Sequence, residues 1–332
     1  MEKLVEVTRG PLVESIHRGS IAVVDAEGNL IAWAGDPEYT TYYRSSAKPI
    51  QALPVITSGA ADKFKFSDEE IAIICASHSG EEEHVRVVTG ILEKLELSPE
   101  FLLCGVHPPF YSPRAVEIWR QGEQPSTVHC NCSGKHSGML ALCKFNNWPL
   151  ENYQELTHPL QKLLLKTMKE FHNLENIAVG VDGCGVPVYG MPLREMARGF
   201  ARLADPTHVA GANIAAVKRV VSSMTQYPRL VAGTGRLDAI LMEKLGDKLV
   251  TKCGAEGVQC IGLLDRGIGI TIKIEDGNIR ATEPVAIEVL RQLGVVSEAE
   301  LKDFAEQHHP PIKNHRKETV GTIRPTFKLT FK

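Results

Sequence analysis

The chain has 332 residues, 43% apolar and 23% charged, with 28 Gly and 19 Pro, a composition that excludes a disordered or fibrous polymer. Thirty-seven Lys plus Arg face 40 Asp plus Glu, for a net charge of −3, which leaves no footprint for nucleic acid and no polybasic membrane patch. No window approaches the roughly 20 apolar residues that span a bilayer, and the start, Met1 to Glu6, carries acids where a signal peptide has an apolar run. A cytoplasmic protein with a small-molecule or protein partner is expected. Eight cysteines (Cys75, Cys104, Cys130, Cys132, Cys143, Cys184, Cys253, Cys260) are too sparse for a disulfide framework, so core thiols and some metal ligands are expected instead.

In chain order, Glu14 to Gly19 places polar groups ahead of a first strand. Ser20 to Asp25 and Leu30 to Trp33 flank the turn cluster Ala26 to Asn29 and read as a hairpin. Ser67 and Glu70 form a capping box opening onto Ile71, Ile74 and Cys75. Leu160, Leu163, Leu164, Met168 and Phe171 then mark an amphipathic helix behind Pro159. Leu193, Met196, Phe200 and Leu203 mark a second, and Val217, Val220, Val221 and Met224 a third. Leu249 to Cys253 reads as a strand. Gly269 to Glu275 alternates and meets Asp276-Gly277, the favoured two-residue turn pair, which predicts a hairpin closing on Asn278 to Ala281. A helix over Val285 to Leu293, a second capping box at Ser297 and Glu300, and a tail rich in Pro and Lys complete the chain.

Strands at both ends with helices between predict an α+β fold, an antiparallel sheet assembled from N- and C-terminal segments and packed against a helical middle. No composition break marks a boundary. A single catalytic unit over 1–332 is therefore expected, its α/β part from roughly 1–45 and 230–332 and its mostly helical part over roughly 46–229.

The chemistry begins at Ser45-x-x-Lys48, followed by Pro49, a residue tolerated in a first helical turn. Residues three apart share a helix face. A Ser hydroxyl becomes nucleophilic once a base removes its proton, and a Lys amine serves if burial or positive neighbours bring its pKa from about 10.4 toward about 7 to 8. Alone, the motif is common, and a capping Ser beside a solvated Lys explains most occurrences. The pattern of serine β-lactamases and penicillin-binding proteins adds a Ser-Asp-Asn element and then Lys-Thr-Gly. Here Ser77-His-Ser79 and Lys252-Cys-Gly254 follow in that order, both degenerate. Ser77 alone reads equally as a turn residue, and Lys252 as a surface lysine on an edge strand.

The densest cluster is His129 to Gly138, with Cys132 and His136 four apart and Cys184 supplying a remote thiol in the glycine-flanked turn Val181 to Pro187. Zinc is one reading, and a glycine-rich active-site loop with free thiols is the other, because the spacing Cys130-x-Cys132 is too short for the usual zinc knuckle. Gly233 to Asp238 resembles a binding loop but is too short for a phosphate or dinucleotide fingerprint. His107-Pro-Pro109 and the pair His308-His309 read as loop and surface residues.

Taken together, Arg44 to Pro49, Ala76 to Glu81, Cys132 to His136, Asp182 to Pro187 and Lys252 to Gly257 resemble the rhizobial-type, thermolabile L-asparaginase family over nearly the whole chain. The resemblance implies a fold related to serine β-lactamases and glutaminases, a homodimer, and hydrolysis of L-asparagine to L-aspartate and ammonia. It implies Ser45 with Lys48 and Ser77 with Lys252 as Ser-Lys pairs, and one zinc per chain on Cys132, Lys135, Cys184 and a water, beside the substrate and not essential for the chemical step. Arg44, Glu14, His136 and Asp182 are the candidates for holding the substrate, with Glu81 an alternative to Glu14. Cys130 departs from the polar amide expected before Asn131, and Cys253 places a thiol beside Lys252. The alternatives are a glutamine- or β-lactam-directed Ser-Lys hydrolase and a non-catalytic zinc-binding protein.

Overall fold

A computed structural model describes residues 1–209 and 211–332, with Gly211 and Ala212 described by their backbone alone. The strands, in chain order, are β1 (Glu2–Arg9), β2 (Leu12–Val24), β3 (Leu30–Ala34), β4 (Thr40–Tyr42), β5 (Ala178–Val181), β6 (Pro187–Pro192), β7 (Leu249–Gly254), β8 (Val258–Leu263), β9 (Ile268–Ile274), β10 (Pro311–Lys313), β11 (Thr319–Pro325) and β12 (Thr330–Phe331). The chain divides into two compact units. One comprises Met1–Ser46, Met191–Asp205 and Thr251–Lys332, and the other Ala47–Gly190 and Pro206–Val250.

The first unit is built on a sheet of order β10-β11-β1-β2-β9-β8-β7, with β3 on the far part of β2 and β12 on β3. The pairs β1–β2, β1–β11, β2–β3, β2–β9 and β8–β9 are all antiparallel. The fold is thus a mixture of helix and antiparallel sheet in which N- and C-terminal segments share one sheet. Every residue of β8 is buried, which requires cover on both faces. The helices Leu193–Ala204 and Thr282–Gln292 both pack on this sheet. At Gly269 a Cβ would meet the backbone of Ala197 and Ala201, so glycine lets β9 and the first of these helices touch main chain to main chain. The Leu193 periodicity does form a helix, but it belongs with the sheet and not with the helical region where the sequence placed it.

Three expectations need correction here. The hairpin over Gly269 to Ala281 does not form: Asp276 and Gly277 make the turn, but Asn278 caps a 3₁₀ turn over Ile279–Ala281. Both edges of β9 are already taken by β2 and β8, so no ladder was open to a third strand. Glu14 to Gly19 lies inside β2 and not before it, with His17 buried and its Nδ1 2.8 Å from Asp276 Oδ2. The C-terminal tail folds into β10, β11 and β12, and Pro311 and Pro325 stand at strand ends, where a missing N–H breaks little of the ladder. His308 is likewise buried, its Nε2 2.9 Å from Glu288 Oε2, while His309 is exposed.

The second unit is helical. The Ser133–Asn146 helix is buried from Ser133 through Cys143 and packs against the helices Lys48–Thr57 and Asp68–Ile74. The Ser67 capping box is present in both directions, and the Pro159–His172 helix forms where its periodicity placed it. Among the described residues no helix is long and apolar enough to cross a membrane.

Candidate active site

The Ser-x-x-Lys element spans two backbone states. Arg44–Ala47 is a 3₁₀ turn that runs directly into the Lys48–Thr57 helix, where Pro49 stands in the first turn. Arg44 has φ +52°, a left-handed conformation that costs a side-chain-bearing residue energy and is favoured at sites the surroundings over-determine. Ser45 is half-buried.

Within the helical unit, Lys48 is 1% exposed, a burial that a long cationic side chain tolerates only when its hydrogens are partnered. Its Nζ donates to Ala76 O at 2.6 Å, Ser77 Oγ at 3.0 Å and Cys132 Sγ at 3.2 Å. Ser77 is held by the loop after the Asp68–Ile74 helix, whose course is fixed by the bond from Ser77 N–H to Val231 O at 3.0 Å. His78 adds a second tie. Ser133 Oγ gives its hydrogen to Val128 O at 2.9 Å, so His78 Nε2–H donates to Ser133 Oγ at 2.8 Å while His78 Nδ1 accepts from Gly80 N–H at 3.1 Å. Burial, then His84 and Lys48, hold this histidine well below its usual pKa and therefore neutral.

Cys132 caps the N-terminus of the Ser133–Asn146 helix, a position that favours a thiolate. Hydrogen bonds with Cys130 and Cys184 lower its pKa well below the usual thiol value; burial opposes this, and Lys48 and Lys135 add to the lowering. Cys130 and Cys184 are pushed the other way, so the sulfur cluster carries its negative charge on Cys132. Lys135 Nζ donates to Cys184 Sγ at 3.2 Å. Burial works against the charge on Lys135, but the sulfurs of Cys184 and Cys132 and the Asp182 carboxylate more than offset it. Two adjoining thiols and an amine form a soft donor set that suits zinc once the amine sheds its proton. Among the described residues no group of three or more His, Cys, Asp or Glu could hold a metal, so such a site depends on the amine as its third protein ligand.

The structure therefore brings Lys48, Ser77, Cys132, Lys135 and Cys184 together, with His136 beside them in the same helix turn. Asp182 lies in the turn before Cys184, where Gly183 N–H donates to its Oδ1 at 2.8 Å. Ser45, Lys252, Arg44 and Glu14 belong to the sheet unit. There Lys252 is fully buried on β7, not a surface lysine, with its Nζ 2.9 Å from Cys253 O, and its own carbonyl accepts from Ser46 Oγ at 2.9 Å. Arg44 lies 4.0 Å from Glu256. Glu14 is exposed on β2 and paired with Arg9 at 3.0 Å. Glu81 is engaged by Thr234, whose N–H and hydroxyl each donate to its carboxylate at 2.8 Å.

Sequence reasoning missed Tyr153 and the orienting role of His78. Tyr153 is fully buried and its hydroxyl lies 2.6 Å from His136 Nδ1. It stands in a turn region without hydrophobic period, so no pattern announced it; His78 sat in plain view between two serines.

A search of curated proteins returns no match. Among solved structures, a β-lactamase of Mycobacterium bovis is similar at 12% identity over 82% of this chain and 93% of its own, with a TM-score of 0.39. A Bacillus glutaminase is similar at 13% identity over 83% and 91%, with a TM-score of 0.38, and a putative β-lactamase of Bacteroides dorei at 12% over 82% and 93%, with a TM-score of 0.40. The motifs that frame the buried lysines and thiols fall within residues 5–325, the span that matches the model of the family described as L-asparaginase II, and the chain belongs to that family.

Proposed function

We propose that this amidohydrolase converts L-asparagine to L-aspartate and ammonia through a Ser-Lys acyl-enzyme route. In this reading Ser45 Oγ attacks the side-chain amide carbon as Lys48 takes its proton. The tetrahedral oxyanion collapses, the C–N bond breaks, and ammonia leaves with a proton relayed by Ser77 and Lys252. Water then hydrolyses the β-aspartyl ester, releasing L-aspartate and returning the hydrogen to Ser45. Arg44, Glu14, His136 and Asp182 are the proposed substrate contacts, and the same reading takes a cytoplasmic homodimer.

The observation that carries the proposal is the Lys48–Ser77 pair. Two elements 29 residues apart in the chain meet at 3.0 Å, both buried. Ala76 O, Ser77 Oγ and Cys132 Sγ each accept from the Lys48 amine. To act as a base it must release one hydrogen and give up one of these bonds.

Zinc, one per chain, is proposed on Cys132, Lys135 and Cys184, where it would act as a Lewis-acidic anchor for substrate oxygen. Ammonia release from L-asparagine, with D-asparagine and L-glutamine as controls, tests the activity. Ser45→Ala is expected to lower turnover by about 10³-fold or more with the fold intact. Near-normal turnover in that variant defeats the nucleophile assignment.

A further inference from the structure

The environment of His136 is asymmetric. Its ring is fully buried, Nδ1 lies 2.6 Å from the Tyr153 hydroxyl, and Nε2 has no partner. Tyr153 Oη in turn accepts from Leu103 N–H at 2.8 Å. Two hydrogen placements are open. If Nδ1–H donated to Tyr153, the phenol hydrogen would have no acceptor and the Nε2 lone pair would also be stranded. If the phenol donates to Nδ1, a single group is left over, the Nε2–H. Each stranded buried polar group costs about 1–3 kcal/mol, so the second placement wins.

The Nε2–H is thus a buried donor with no acceptor, in the first turn of the helix that Cys132 caps and that carries Lys135. Native proteins pair nearly all such groups, so an unpaired donor beside the lysine–thiol cluster is suited to a ligand oxygen.

We infer that His136 Nε2–H receives a carboxylate oxygen of the bound substrate, and that Tyr153 is the positioning residue that locks His136 in the Nε2–H tautomer. The inference rests on the hydrolysis reading above and adds to it the group that the cluster recognises. An imidazole fixed in this way cannot act as a general base through Nδ1, since that nitrogen is occupied by the phenol.

The test reads the tautomer and the kinetics separately. ¹⁵N-histidine NMR of the whole protein, with the His136 signals identified by their loss in His136→Gln, is expected to show Nε2 protonated and Nδ1 not. L-Aspartate is expected to shift the Nε2 signal. In Tyr153→Phe the fixed tautomer is lost and KM for L-asparagine rises about tenfold with kcat nearly unchanged, as for an interaction made equally in ground and transition states. The amide nitrogen of a glutamine falls near the place of imidazole Nε2, so His136→Gln keeps a donor without needing the phenol. In that background Tyr153→Phe is expected to add no further KM increase, an outcome that a merely destabilising Tyr153→Phe would not give.

A protonated Nδ1 in the wild-type protein overturns the inference. So does a Nε2 signal indifferent to aspartate, which would mean that an ordered water alone satisfies the donor. An aspartate-induced shift in a protein that releases no ammonia defeats the proposed function and leaves this inference standing.

Discussion

Gly134 offers a direct test of whether close helix packing sets the geometry of the lysine–thiol cluster. It lies in the first turn of the Ser133–Asn146 helix, and a Cβ there would sit 2.8 Å from the carbonyl carbon of Ile73 and 3.0 Å from Ile73 Cγ1, closer still to the carbonyl oxygen. Carbon atoms are comfortable at about 3.5 Å or more, so Gly134→Ala must push the two helices apart by about 0.7 Å or more. Backbone is what must move, since the obstacle is mainly main chain. The added methyl gains about 1 kcal/mol of helix propensity, against roughly 1–3 kcal/mol for overpacking, so a net loss of about 1 kcal/mol is expected in urea unfolding.

The consequence for activity is larger. The Ile73 end of the displaced helix leads within four residues to Ser77, and the Gly134 end carries Cys132 and Lys135, so the 3.0 Å and 3.2 Å contacts of Lys48 stretch together. A displacement of about 1 Å at reacting groups costs on the order of 10²-fold, and ammonia release by Gly134→Ala is expected to fall by about that factor. Gly138→Ala is the comparison, because the atoms nearest its Cβ belong to the Ile74 side chain, Cγ2 at 2.7 Å and Cγ1 at 3.2 Å, so it overpacks the same interface without pressing on main chain. If both variants show equal turnover and stability, close backbone approach is not what holds the cluster.

Three further outcomes follow from the same geometry. Lys48→Met, which fills the space without the amine, is expected to lower turnover by about 10³-fold while far-UV circular dichroism stays native; full activity would remove Lys48 from the mechanism. Metal analysis is expected to find about one zinc per chain, lost in Cys184→Ser, and chelation to raise KM without unfolding; a metal-free wild-type protein with ordinary KM refutes the site. In the sheet unit, Glu288 accepts from Arg291, Gln292 and His308, and despite opposing burial its pKa falls from 4.5 to about 2. A depressed carboxylate stabilises the fold above its unfolded pKa and loses that contribution as pH falls through the folded one. Glu288→Gln is therefore expected to cost ~3 kcal/mol at pH 7 and about half that or less at pH 3, and a cost independent of pH between those values would refute the assignment.

What the sequence disclosed and what it hid divide along a physical line. The Ser67 capping box and the Pro159 helix are local: spacing along one helix decides which side chains are neighbours, so a single sequence displays them. Cys130 and Cys132 were visible together for the same reason, although which sulfur carries the charge depends on hydrogen bonds with Cys130 and the remote Cys184, and then on Lys48 and Lys135. The hairpin at Asp276-Gly277 failed because a turn signal reports the backbone's willingness to reverse and is silent on whether a strand edge is free; β2 and β8 had already taken both edges of β9. Burial of Lys252 on β7 was hidden too, since a lysine's surroundings lie in residues distant along the chain.

Tyr153 is the extreme case of this hidden class. Its two partners, Leu103 and His136, are 50 and 17 residues away, and its own neighbourhood is polar and without period, so nothing local distinguishes it from a surface tyrosine. Yet the accounting of hydrogens around His136 comes out differently with and without that phenol. Motifs display the groups that change charge or make bonds, because those require particular residue types at short spacing. The residues that decide which atom of such a group bears the hydrogen need only one polar atom in the right place, from any element that can deliver it, and so they are found by counting donors and acceptors in three dimensions.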